Sequence, residues 1–135
     1  CRFGDPEAQA ILPLVEGDLL AACASAAGGD LVELPVASRA AVSVVLAAGT
    51  YPEGGDSGTP IEGVSAAEER GTLVFHAGTA RRGDRLVTNG GRILGVTGLG
   101  DDLAAARAAA SEGAALISFD GMRRRTDIAQ EAARV

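Results

Sequence analysis

The sequence predicts an α+β fold, an antiparallel sheet covered by helices, and three observations carry that reading. Runs rich in valine, isoleucine, leucine and threonine are short and are punctuated by glycine, proline and Asn-Gly, as strands joined by tight turns are. Stretches with helical apolar spacing bracket these runs at both ends of the chain. A length of 135 residues suits one domain, or one domain plus the tail of another.

The first helix is predicted to open at Asp5-Pro6-Glu7, with Asp5 as N-cap, proline at the first helical position and an acid in the first turn. Ile11, Leu12, Val15, Leu19, Leu20 and Cys23 then recur at helical spacing and read as one buried face. Pro13 should kink or split the helix, and Gly28-Gly29 should end it. Ala40–Ala48 is a near-continuous apolar run and reads as a buried strand. Residues 49–60 form a glycine- and proline-rich loop, either functional or a surface excursion. Ser65 and Glu68 can cap one short helical turn.

Leu73–Ala77 reads as a strand, followed by a charged turn, Arg81 to Arg85. Asn89-Gly90-Gly91, between two β-favouring runs, predicts a hairpin. Asp101 and Asp102 open an alanine-rich helix from Leu103 to about Ala110. Ile117-Ser118-Phe119 reads as one more short strand, and a last helix is predicted over 124–134.

Composition excludes several functions. Aromatics are 3% of residues within a 47% hydrophobic total, so the core must be built from aliphatic side chains and close backbone packing. A net charge of −6 argues against a nucleic-acid surface. All 12 basic residues are arginine, so neither a P-loop lysine nor a Schiff-base lysine can come from this chain. Two cysteines, Cys1 and Cys23, make no framework, and with one histidine they make no zinc site; Cys23, among alanines, reads as buried. With neither a long apolar run nor a signal peptide, the expectation is a soluble, cytoplasmic protein with no membrane partner. A chain that begins at cysteine also reads as a piece of something longer.

Leu86–Gly100 holds the most distinctive chemistry. Paired glycines beside Arg92 offer backbone N–H groups and a guanidinium, the elements of a phosphate seat; a solvated arginine beside a well-formed turn is the plainer alternative. His76, the only histidine, reads as the bearer of a structural hydrogen bond.

Arg2-Phe3-Gly4-Asp5-Pro6-Glu7, Phe75-His76-Ala77-Gly78-Thr79 and Val87-Thr88-Asn89-Gly90-Gly91-Arg92-Ile93-Leu94-Gly95-Val96-Thr97, in that order, resemble the phosphoribosylamine–glycine ligases of the ATP-grasp superfamily. The resemblance runs from Cys1 to about Ile128 and covers only the C-terminal third of such an enzyme. It implies closing helices of an ATP-grasp fold over residues 1–33, followed by a small C-terminal domain over 34–135. The implied reaction joins glycine to 5-phosphoribosylamine with ATP and Mg²⁺, giving glycinamide ribonucleotide, ADP and phosphate in purine synthesis. Such a site must neutralise a transferring phosphoryl group and exclude water from an acyl phosphate.

The resemblance makes Arg2 the catalytic residue and assigns Gly4, Asp5, Asn89, Gly90, Gly91 and Arg92 to substrate. Arg92 would hold the ribose 5′-phosphate with the Gly90 and Gly91 amides assisting. Asp5 would meet the glycine ammonium, serve as a helix cap, or do both. The family's metal-binding Glu and Asn would precede Cys1, so this chain offers no metal ligand, its ATP and Mg²⁺ contacts would lie in absent N-terminal domains, and alone it should be inactive. Tyr51-Pro52 keeps a family loop, with Thr50 in place of a common glycine. Gly121–Ile128 lacks the family's aromatics, and Arg123–Arg125 read as solvated residues at a helix start, with contact to substrate or to the rest of the enzyme as the alternative. Two rivals stay open: another ATP-grasp carboxylate–amine ligase, and a non-catalytic anion-binding or assembly module.

Overall fold

A computed structural model describes residues 3–134. Among the described residues, six strands form two three-stranded antiparallel sheets. The larger sheet, in the order β1-β6-β3, contains β1 (Ala40–Ala47), β3 (Leu73–His76) and, at its centre, β6 (Arg92–Gly100). The smaller sheet, in the order β2-β5-β4, contains β2 (Asp56–Pro60), β4 (Thr79–Arg82) and β5 (Arg85–Gly90).

β6 is buried along almost its whole length because it has a strand on either side and a helix over each face. With the two-residue period of a strand, Gly98 and Gly100 meet α4 (Leu103–Leu116), while Gly95 and Thr97 face α1 (Glu7–Ile11). The Thr97 hydroxyl donates to the Gln9 carbonyl at 3.1 Å. Val42, Val44, Leu46 and Val96 pack with Ala106, Ala110 and Ala114 of α4 to make the core. Asp102 caps α4, its carboxylate accepting from Ala105 N–H at 2.7 Å.

Several expectations need correction. Asn89-Gly90-Gly91 is not a hairpin: β5 and β6 belong to different sheets, and these residues carry the chain from one to the other. The true two-residue hairpin is Gly83-Asp84, between Arg82 and Arg85, with Gly83 at a φ of 60°, so the charged turn is shorter than expected and Thr79–Arg82 is strand. The glycine-rich loop ends early, since residues 56–60 pair with β5 as β2. Ser118 makes only an isolated bridge to Glu62, and no strand forms there.

The helices differ in detail as well. Asp5 lies in a turn, and the N-cap of α1 is Pro6, without a side-chain cap bond. Pro13 does split the segment: α1 gives way to a 3₁₀ turn (Leu12–Leu14), and α2 (Leu19–Ala27) starts afresh from Asp18, whose carboxylate accepts from Ala21 N–H at 2.8 Å. The expected buried face is open: Ile11, Leu12, Leu19 and Leu20 are exposed, as is Cys23. Gly63 precedes α3 (Val64–Glu69), so Ser65 makes no cap there. The last helix shrinks to a 3₁₀ turn at Ala132–Arg134: Arg107 of α4 takes the carbonyls of Thr126 and Ile128, each at 2.9 Å, and the chain turns at 128–131 with Ala129 at a φ of 55°.

Candidate functional site

Arg92 opens β6 immediately after the sheet-to-sheet crossing. Its Nη1 donates to the Asp5 backbone carbonyl at 2.7 Å, and its Nη2 lies 3.4 Å from Asp5 Oδ2. The contact joins residues 87 positions apart and brings the Phe-Gly-Asp-Pro-Glu loop against the Gly-Gly-Arg strand. Both side chains are about two-fifths exposed, so the ion pair itself stabilises little. A guanidinium has five N–H donors, and Asp5 engages only part of that set, so donors remain for an incoming anion.

The glycines beside Arg92 serve close packing. A Cβ on Gly91 would stand 2.8 Å from the Tyr51 ring, and Gly91 O accepts from Ala48 N–H at 2.8 Å. Gly90 lies against Gly78, where a Cβ on Gly78 would come within 2.9 Å of the Gly90 Cα. Asn89 faces the smaller sheet: its N–H donates to Gly78 O at 2.7 Å, and its Oδ1 accepts from the Ser57 hydroxyl at 3.5 Å. Gly4 starts the turn into α1, its carbonyl accepting from Ala8 N–H at 3.1 Å. Thus Asp5 and Arg92 meet directly, the glycines fix the backbone that presents Arg92, and Asn89 points elsewhere. Arg2 lies outside the described residues.

A cleft of about 250 Å³ opens beside Arg92, lined by Pro6, Ser43, Tyr51, Arg125 and Ile128 among others. Sequence reasoning set Arg125 aside as a solvated helix residue. Its chelation of Asp127 (Nε to Oδ1 at 2.9 Å, Nη2 to Oδ2 at 2.6 Å) and its place on this cleft mark it out. The sequence signal was the Gly-Met-x-x-Arg-x-Asp-Ile pattern over residues 121–128, which puts Arg125 and Asp127 two residues apart. The Arg125 bonds hold the Asp127 carboxyl below its ordinary range, and Asp127 raises Arg125 in return.

His76 is structural in its contacts, with Nδ1 3.1 Å from the Thr79 hydroxyl. Among the described residues no group of three or more His, Cys, Asp or Glu side chains converges as metal ligands would. None of the helices among the described residues is long and apolar enough to cross a membrane.

Comparison with known proteins gives a consistent picture. A family model described as phosphoribosylglycinamide synthetase, C domain, matches residues 41–131. The phosphoribosylamine–glycine ligase of Synechocystis sp. is 48% identical over 135 residues, covering 98% of this chain and 32% of the relative. The trifunctional purine biosynthetic protein adenosine-3 of Gallus gallus is 44% identical, covering 98% of this chain and 14% of its own length. The crystal structure of a phosphoribosylamine–glycine ligase from Thermotoga maritima superposes with a TM-score of 0.79 at 36% identity, over 94% of this chain and 31% of that one. The chain thus spans about a third of the length of the curated ligases it matches.

Proposed function

The chain belongs to the phosphoribosylglycinamide synthetase C-domain family, and from that premise we propose that it forms one wall of the active site of an ATP-dependent ligase joining glycine to 5-phosphoribosylamine. In this reading the products are glycinamide ribonucleotide, ADP and phosphate, and the setting is cytoplasmic purine synthesis. The observation that carries it is the Arg92–Asp5 contact, which unites two motifs distant in sequence at one exposed point. Residues 1–33 would close the catalytic fold, and residues 34–135 would be the C-terminal domain proper. The remaining domains of the ligase would be the partner of this chain and would cover the exposed Leu19 and Leu20 of α2.

Arg92 takes the 5′-phosphate of phosphoribosylamine through charge-assisted hydrogen bonds. Its Nη1 stays on the Asp5 carbonyl, which fixes the direction of the guanidinium, while the looser 3.4 Å contact to the carboxylate gives way to the phosphate. The Asp5 carboxylate so released receives the glycine ammonium. Gly4, Gly90 and Gly91 keep the backbone close enough to hold this geometry, Asn89 steadies the strand entering the crossing, and Arg2 faces the transferring phosphoryl group. ATP and Mg²⁺ supply the phosphoryl group and its charge neutralisation. Neither is assigned a ligand among the described residues.

The test is an NMR titration of this chain with ribose 5-phosphate. Saturable shifts centred on Arg92 are expected, with Arg92→Ala weakening binding about tenfold and Asp5→Asn leaving it intact or tighter. Unchanged binding by Arg92→Ala would overturn the assignment.

A further inference from the structure

We propose that Arg125 is a second anion-gripping guanidinium in the cleft of Arg92, so that a sugar phosphate dianion is held by two arginines, one from β6 and one from the segment after α4. The inference rests on the reading of Arg92 as a phosphate-binding residue.

Residues 123–128 are irregular yet firmly placed. Arg123 exchanges both backbone hydrogen bonds with Ala47, each at 2.8 Å, and Arg107 holds the Thr126 and Ile128 carbonyls. A side chain mounted between two such anchors is presented in a fixed direction without belonging to a helix or strand. The three successive arginines then separate by use. Arg123 donates from Nη1 to the Gly49 carbonyl at 3.1 Å, and Arg124 donates from Nη1 to the Ser111 carbonyl at 3.4 Å. Arg125 bonds only a carboxylate, Asp127, with both partners more than half exposed. It also lines the Arg92 cleft, which Arg123 and Arg124 do not.

The two cleft arginines therefore share a design. Each is balanced by an exposed aspartate, Asp5 for Arg92 and Asp127 for Arg125, and each keeps N–H donors beyond those its aspartate takes. The loose 3.4 Å contact of Arg92 to the Asp5 carboxylate gives way to a phosphate at small cost, whereas the bidentate Arg125–Asp127 pair persists and Arg125 meets the phosphate with the N–H donors that Asp127 leaves free. Two guanidinia match the double charge of a phosphate monoester better than the single charge of a carboxylate. Ser43 adds an independent mark. It is 9% exposed and lines the cleft, and its hydroxyl oxygen is buried without a hydrogen-bond partner among the described residues, so a small shift of β1 or of that side chain would be needed to bring it to a ligand.

The same ribose 5-phosphate titration, extended to Arg125→Ala, Arg125→Lys and Asp127→Asn, tests the inference. Arg125→Ala should weaken binding about tenfold, Arg125→Lys should fall between it and the unsubstituted chain, and Asp127→Asn should bind at least as tightly as the unsubstituted chain. If Arg125 only held its loop through Asp127, Asp127→Asn would weaken binding as Arg125→Ala does, and the inference would fall. Full affinity in Arg125→Ala beside a loss in Arg92→Ala would overturn Arg125 and leave Arg92 standing. A loss in Arg125→Ala with Arg92→Ala unaffected would remove the Arg92 reading and the shared grip with it. Absence of saturable binding by the unsubstituted chain would overturn both.

Discussion

Two alanine-rich helices in this chain meet opposite fates. α4 buries Ala106, Ala110 and Ala114 completely, while α2, with the sequence Leu-Leu-Ala-Ala-Cys-Ala-Ser-Ala-Ala, buries no residue and leaves Leu20 80% exposed. The more apolar helix is thus the more exposed one. The difference lies in what each faces. Opposite α4, β6 carries Gly98 and Gly100, whose missing side chains let the helix backbone approach the strand. Alanine side chains are short, so they bury well only where a partner surface comes this close. No such surface faces α2 among the described residues.

The largest expected effect breaks that arrangement. A Cβ at Gly98 would stand 2.5 Å from the Ala106 carbonyl oxygen and would overlap the Ala110 nitrogen. Both obstacles are helix backbone and cannot rotate away. Gly98→Val should therefore lift α4 off the sheet and cost about 3 kcal/mol or more in urea unfolding, a loss seen as a lower midpoint. An unchanged midpoint would mean that glycine contact is not what distinguishes the two helices.

A smaller effect sharpens the contrast by showing a region in which buried hydrogen bonds add to apolar packing. In the smaller sheet, the fully buried Thr88 hydroxyl accepts from Thr59 N–H at 3.0 Å and donates to Asp56 Oδ2 at 2.6 Å. Thr88→Val keeps the shape and removes both bonds, at a cost of about 1–3 kcal/mol by urea unfolding. Hydrogen bonds from Thr59 and Thr88 hold the Asp56 carboxyl below its ordinary value of 3.8. Its folded-state value being depressed, its stabilisation is fully present above that ordinary value and is lost as pH falls through the folded-state value. Thr88→Val should flatten this acid dependence as well as lower stability at neutral pH. Unfolding measured at both pH values separates the two effects.

What could be read from the sequence follows the range over which each feature is decided. β1, β3 and the Asp102 cap of α4 are local, and their residues declare them. The crossing at Asn89–Gly91 is not local. Asn-Gly-Gly between two β-favouring runs fits a hairpin, but β6 takes its partners from residues 40–47 and 73–76, and no nearby residue states that choice. The last helix failed for a related reason: Ala129, Ala132 and Ala133 favour a helix, but Arg107, far back in the chain, takes the carbonyls at 126 and 128, and the chain turns at 128–131 instead. In the site, Arg92 and Asp5 are each visible through a motif, whereas their contact and the placement of Arg125 depend on how the chain returns on itself.

The smallest effect tests the comparison most directly, because the two helices carry the same cap. Asp102 accepts from Ala105 N–H at 2.7 Å and Asp18 from Ala21 N–H at 2.8 Å, each three residues on. Intrinsically, either substitution by alanine should cost about 1 kcal/mol. The coupling to the rest of the molecule should differ. Asp102→Ala weakens a helix that is part of the core and should lower the global unfolding midpoint by that amount. Asp18→Ala weakens a helix with no buried residue, which can fray without opening the sheet. Its effect should appear as faster hydrogen exchange at the first turn of α2 with an unchanged global midpoint. Equal losses of global stability from the two substitutions would place α2 within the same cooperative unit as α4, and exposure alone would no longer separate them.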